Sequence, residues 1–128
     1  MSAGSNLQGA IVRTLGTLVE LTGTYDGPPA RAPFPYAVVD AGTENDWSHK
    51  SGAGREVLVA VTLWDDQPAR LQRLVDALEV ALAELTAVDG WQLVALRFLR
   101  RRTVRDVSGP WAAALDYRAR LLSNEQGE

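Results

Sequence analysis

The stretch Arg55–Leu85, REVLVAVTLWDDQPARLQRLVDALEVALAEL, changes its hydrophobic period halfway along, and that change decides the fold. Val57, Val59, Val61 and Leu63 alternate with other residues, the period of a pleated strand that turns one face to a core. From Leu71 the apolar positions fall at Leu74, Val75, Leu78, Leu82 and Leu85, one face of a helix, while Arg70, Arg73, Asp76, Glu79 and Glu84 occupy the other. Asp66 or Gln67 suits the helix cap, Pro68 the first turn, and the acidic pair Asp65-Asp66 the positive end of the helix dipole. A strand running directly into a helix is therefore the centre of the molecule.

Around it the chain is the size of one domain. Its 128 residues, 46% of them hydrophobic, suffice for one core, and the expectation is a single domain over 1–128 with residues 1–5 and 123–128 frayed. A net charge of −3 gives no general attraction to nucleic acid or to an anionic membrane. With no cysteine there is no disulfide, thiolate metal site or cysteine nucleophile. Residues 1–22 lack the pattern of a targeting signal, and no apolar run approaches the roughly 18–20 residues that cross a bilayer. The expectation is a soluble protein with no membrane partner.

Upstream, Ser5 or Asn6 is placed to cap a first helix with the stripe Leu7, Ile11, Leu15 and Leu18, ending by Gly23. The prolines between Tyr25 and Tyr36 forbid a helix and preset extended backbone. Tyr36–Asp40 reads as a short strand, Ala41–Ser48 as its continuation or a turn, and Asp46–Gly54 as a glycine-rich loop of the kind that orders when something docks. After the second helix, Asp89-Gly90 turns into a strand over Trp91–Leu99 with Val94, Leu96 and Phe98 on one face. The last strand, Trp111–Leu121, pairs with it as an antiparallel hairpin through Asp106–Pro110. The fold class expected is α+β: an antiparallel sheet of about four strands, two helices on one face, and a projecting C-terminal hairpin.

Two features bear on function. Leu58, Ala60 and Trp64 make the central strand apolar on its second face, and Leu93 and Ala95 extend that face to a neighbour. Two helices cover one face, so the other requires either the proline-rich segment or another subunit. Arg100-Arg101-Arg102, flanked by Arg97 and Arg105, point to both faces of their strand, which implies a hairpin projecting beyond the core. Such an arm contacts nucleic acid phosphates, pairs with acidic surfaces of neighbouring subunits, or is a solvated edge that discourages aggregation.

Catalytic signals are sparse. His49 is the single histidine, so multi-histidine metal sites are excluded and any Ser-His-Asp triad would depend on it. Asp46, His49 and Asp65 have no recognisable ligand spacing, and Ser51–Arg55 lacks the ending of a phosphate loop and precedes a strand. Capping accounts for Asp65-Asp66 more simply than acid–base work does. No catalytic, metal or cofactor-binding residue is assigned and no cofactor is expected. Trp47, Trp64, Trp91 and Trp111, each at or near a strand end, read as core or interface anchors.

The order of features is more telling than any one of them. The APFPYAVV run at Ala32–Val39, the loop-to-strand stretch Asp46–Val61, Leu63-Trp64-Asp65 and the closing LDYRARL at Leu115–Leu121 resemble the tail completion or tail terminator proteins of long-tailed phages. That family was once catalogued as a domain of unknown function and also occurs in the gene transfer agents of alphaproteobacteria. The resemblance spans about Leu7 to Leu122. It implies a non-enzymatic α+β subunit of a virion or phage-like particle, assembled in the host cytoplasm. Such a subunit closes into a homo-oligomeric ring, typically a hexamer, at the head-proximal end of the tail. There the ring ends tail-tube polymerisation, meets the tube protein and offers a surface to the head–tail connector, and DNA passes through the bore without being read. The subunit-interface candidates are Trp47, Leu58, Trp64, Arg100, Arg101, Arg102, Arg105 and Trp111. The alternative is a DNA-binding adaptor that uses the basic hairpin Arg97–Arg105.

Overall fold

The computed structural model describes residues 2–27, 29, 31–105, 107 and 109–124. Its elements are helix α1 (Ala3–Leu15), strands β1 (Gly23–Tyr25), β2 (Tyr36–Asp46) and β3 (Gly54–Asp65), helix α2 (Pro68–Ala83), and strands β4 (Ala87–Val88), β5 (Trp91–Arg105) and β6 (Trp111–Ser123). The strands form one sheet in the order β1-β2-β3-β6-β5-β4. The fold is α+β as expected, but the sheet has six strands rather than about four, and it is mixed. Thr22 produces the mixing: its N–H and hydroxyl both donate to the Pro35 carbonyl, drawing the chain before the proline-rich turn alongside the chain after it. The resulting β1 runs parallel to β2 over Gly23–Tyr25 and Tyr36–Val38.

The inward row Val57, Val59, Val61 and Leu63 is buried beneath both helices, together with Ala37 and Val39 from β2 and Leu115, Ala119 and Leu121 from β6. Leu7, Ile11 and Leu15 of α1 and Leu71, Leu74, Val75, Leu78 and Leu82 of α2 close the same core. Helix α1 starts earlier than its sequence suggests, because the Ser2 hydroxyl accepts the Ser5 N–H at 3.1 Å. It also ends earlier, at Leu15, and Gly23 lies in β1 instead. Gly4 permits the close approach of this helix to the sheet, since a Cβ there would stand 2.8 Å from the Ala41 carbonyl oxygen. The Phe34–Pro35 peptide bond is cis.

The cap of α2 is not built as its sequence suggests. Gln67 occupies the cap position without a side-chain bond. Asp65, the one buried charged residue among those described, instead accepts the Gln67 N–H at 3.1 Å and the Arg70 guanidinium at 2.8 and 2.6 Å. Burial by itself raises the Asp65 pKa, but the Arg70 and Gln67 hydrogen bonds outweigh it and hold the carboxyl below its ordinary value. Asp65 thus fastens the end of β3 to the first turn of α2.

The loop after Asp46 is bridged by its own bonds, including Trp47 N–H to the Gly54 carbonyl at 2.9 Å, His49 N–H to the Gly52 carbonyl at 2.8 Å and the Ser48 hydroxyl to Asp46 at 2.6 Å. One further expectation is corrected: the arginine hairpin does not project. Arg105 pairs with Trp111, which pairs with Asp65, so β5 stays level with the body of the sheet. Arg101 is retained over the core by α2, where it donates to Asp76 at 2.8 Å and to Glu79. Of the connecting turn, Asp106 and Ser108 lie outside the described residues.

Candidate functional site

The second face of the sheet, opposite the helices, is left uncovered by the elements described. Its floor is Leu58, Ala60, Thr62 and Trp64 on β3 and Ala112, Ala114 and Asp116 on β6, with β2 and β5 as walls. Leu58 is 42% exposed there. A depression of about 430 Å³ lies across this floor, bounded by Asp40 and Thr43 on β2, Leu58 and Ala60 on β3, and Leu99 and Arg100 on β5. A smaller hollow of about 230 Å³ lies beside Trp64, Ala112, Ala114, Arg102 and Val104. The proline-rich segment does not cross the face. Phe34 stacks on Tyr36 at 5.8 Å and Tyr36 on Trp64 at 6.5 Å, so the segment covers only one end. Burial, reinforced by the Tyr25 hydroxyl, pushes the Tyr36 pKa up.

The eight interface candidates do not form one cluster. Leu58, Trp64, Arg100 and Arg102 share the uncovered face. Arg100 donates to Asp116 at 2.7 Å. Trp47 closes the far end of that face, where the Arg120 guanidinium sits 5.4 Å above its ring and also donates to Glu56 at 3.0 Å. Arg101, Arg105 and Trp111 lie on the helix side. Arg101 is bound to α2, and Arg105 stands 5.7 Å over the Trp111 ring, which packs against the core. Leu93, expected on the uncovered face, turns to the core opposite Leu121, and Val94 leaves the face it was expected to share with Leu96 and Phe98. Register shifts at Leu93/Ala95 and Phe98/Arg100 reset the alternation of β5, as bulges do.

Sequence reasoning missed two acids that organise this surface. Glu56 is bonded to Arg120 and ion-paired at 4.0 Å with Arg118, and Asp40 lies exposed on β2 opposite Ala60. Pairing register would have disclosed them, and that depends on bulges that no single strand announces.

Among the described residues the surface brings together no catalytic constellation. Asp46 pairs with Arg55 at one end of β3 and Asp65 ends the other, ten residues and roughly 33 Å away at strand rise, so Asp46, His49 and Asp65 cannot share an ion. His49 packs edge-on against Trp47 at 4.5 Å. Among the described residues no group of three or more histidine, cysteine or acidic residues is placed to hold a metal, and no helix is long and apolar enough to cross a membrane. The tyrosine within the core, Tyr117, has its pKa pushed up to about 12 by burial and by the nearby Glu79 carboxylate. Its place is structural, against Phe98 at 5.6 Å.

Residues 9–122 match the family described as tail completion protein gp17. Among solved structures, a chain from the virion of a native gene transfer agent particle is similar with a TM-score of 0.73 and 27% sequence identity, over 95% of this chain and 98% of that one. No curated protein matches.

Proposed function

The chain belongs to the tail completion protein gp17 family, and from that premise we propose that it closes into a homo-oligomeric ring, a hexamer by the family's habit, at the head-proximal end of a phage-like tail. Membership makes it a structural component of a phage-type tail particle. In the finer reading the ring ends tail-tube polymerisation, meets the tube protein on one side and the head–tail connector on the other, and leaves a bore through which DNA passes unread. One observation carries this reading: the likeness to a gene transfer agent virion chain extends over almost the whole of both chains. The uncovered sheet face is consistent with it, because exposed apolar floor in a small domain is surface that neighbours bury.

The adaptor reading fares less well on the same residues. Arg100 and Arg101 are neutralised by Asp116, Asp76 and Glu79, which leaves three of the five arginines without an ion partner among the described residues.

The native mass of the chain, alone and with tail-tube subunits, tests the proposal. A discrete closed multiple of the subunit that caps tubes and stops their growth is expected. Tubes that lengthen unchecked, with no bound multiple at their ends, would refute it.

A further inference from the structure

Both edges of the sheet are only partly paired. On β2, β1 covers Tyr36–Val38 and the Gln8 side chain reaches the Val39 carbonyl at 3.4 Å, but among the described residues no strand pairs with Asp40–Asp46 on the side away from β3. On β5, β4 covers Trp91 and Gln92, and nothing pairs with Leu93–Arg105 on the side away from β6. Unpaired strand edges are templates for another strand, because their N–H and C=O groups point outward together.

The two free edges carry opposite charge. Asp40–Asp46 holds Asp40, Glu44 and Asp46 and no base. Leu93–Arg105 holds Arg97, Arg100, Arg101, Arg102 and Arg105 and no acid. Of these, Asp40, Asp46, Arg97, Arg102 and Arg105 have no ion partner among the described residues. Like charges directly opposite in a strand pair are destabilising. A β2–β2 or β5–β5 contact is therefore disfavoured, and β5 against β2 is the one edge pairing in which the charges agree. Arginines on an edge strand also serve as guards against aggregation, yet here they guard only against a second basic edge.

The edges match in height as well. Following the pairing across the sheet, Asp40 is level with Ala60, Asp116 and Arg100, and Asp46 is level with Arg55, Leu121 and Leu93. The free stretch of β2 thus stands at the same level as Leu93–Arg100 of β5. Those residues include the exposed apolar side chains Val94, Phe98 and Leu99, at 46%, 42% and 47% exposure. Within the sheet β2 and β5 run in opposite directions, since each is antiparallel to a neighbour and β3 and β6 are antiparallel to each other. A copy related by rotation about an axis along the strands keeps its strand directions, so its β2 meets this chain's β5 as an antiparallel pair.

We infer that the occupant of the free β5 edge is the Asp40–Asp46 edge of a second copy of this chain, added head to tail as an antiparallel strand. The contact joins unlike patches, so each copy has one edge of each kind still to satisfy, and repetition closes only when rotation brings the last acidic edge to the first basic one. The inference rests on the ring reading and specifies how its subunits touch. Each junction combines main-chain bonds with the charges of Arg97, level with Thr43, and of Arg102, level with Val38, which meet Asp40 diagonally, and buries the apolar side chains of β5, a mode of strand addition used widely in recognition.

Charge exchange between the edges tests it. One variant carries Arg97→Glu with Arg102→Glu, so that, with Arg100 and Arg101 already paired within the chain, acids outnumber the one unpaired base on β5 and both its edges repel an acidic partner. The other carries Asp40→Lys with Asp46→Lys, so both are basic. Circular dichroism and thermal melting establish that each is folded, and Thr43→Lys with Asn45→Lys and Asp46→Lys, which leaves Asp40 on the Gly42 N–H and gives the edge three bases against two acids, replaces the second variant if its β2 bulge is disturbed. Wild type, each variant and an equimolar mixture are compared by sedimentation velocity at low and high salt. Expected are multimers of wild type that weaken with salt, a rise of at least about tenfold in the concentration for half-association in either variant alone, and recovery in the mixture. Recovery is specific to head-to-tail contact, because each acidic β5 then finds a basic β2 and the reverse. Multimers that persist undiminished in both variants would overturn the edge inference and leave the ring reading standing. No multimer of wild type, alone or on tail tubes, would overturn both.

Discussion

Charge reversal at Arg101 and at Arg102, adjacent in sequence, should give two different phenotypes because the sheet sends them to opposite faces. The Arg101 side chain is 33% exposed and donates to Asp76 at 2.8 Å, to Glu79 and to Gln72 at 3.3 Å. Its guanidinium is held above the ordinary pKa by those two carboxylate bonds, so it is charged at every accessible pH. Exposed ion pairs contribute about 0.2–1 kcal/mol each, which makes the loss of both about 1–1.5 kcal/mol. A glutamate there adds a third carboxylate beside Asp76 and Glu79, for a total near 2 kcal/mol. For a chain of 128 residues the entropy of unfolding converts this to a fall in melting temperature of roughly 8 °C. Arg102 lies on the uncovered face with no ion partner among the described residues, so Arg102→Glu should stay within about 0.5 kcal/mol, or roughly 2 °C, of wild type. The assay is a thermal melt of each variant by circular dichroism, followed by native mass for assembly. If Arg102→Glu melts as low as Arg101→Glu, or if Arg101→Glu melts within about 2 °C of wild type, the assignment of these residues to opposite faces is wrong.

Three further outcomes are expected. Asp65→Asn should cost about 2–3 kcal/mol at neutral pH, below the usual range for breaking a buried pair because the partner Arg70 side chain is 22% exposed. Since the folded pKa of Asp65 is depressed, its contribution is present above the unfolded value of about 4 and is lost as pH falls through the folded one. The gap between wild type and variant in urea midpoint should therefore narrow on acidification, and a constant gap would contradict the account. Tyr117 has a folded pKa of about 12, so its unfolded form releases a proton first as pH rises above about 10, and stability should fall between those values with a slope approaching 1.4 kcal/mol per pH unit. Tyr117→Phe should flatten that alkaline slope of the denaturation midpoint, and an unchanged slope would count against it. Gly54→Ala would bring a Cβ to 2.3 Å from the Trp47 carbonyl oxygen, a backbone clash expected to cost about 2 kcal/mol or more, whereas Gly52→Ala, with open space around it, should be tolerated in the same melt.

Elements whose hydrophobic period is strong were legible in the chain. Arg55–Leu85 gave its strand and helix almost to the residue, because Val57–Leu63 and Leu71–Leu82 satisfy one core and their periods differ. Short or compensated elements were not legible. β1 has three residues and is held to β2 through Thr22, a contact across the proline-rich turn that no local pattern encodes. β5 misled for a different reason: its bulges move Leu93 inward and Val94 outward, so strict alternation assigned both wrongly. The candidate site was half legible. Leu58 and Trp64 were placed on an uncovered face by parity alone, but Arg101 was read as part of an exposed arm because its partners lie on α2, more than twenty residues earlier.

By itself the sequence determined the α+β class, the central strand and its helix, the second apolar face and the family resemblance, all of which depend on spacing along the chain. Only the tertiary structure decided the sheet order, and with it which residues stand at the two edges. Asp40 and Arg100 are sixty residues apart and belong to different hairpins. They become level, opposite and complementary only after β3 and β6 have paired between them, because edge and height are properties of the assembled sheet and not of any strand in it.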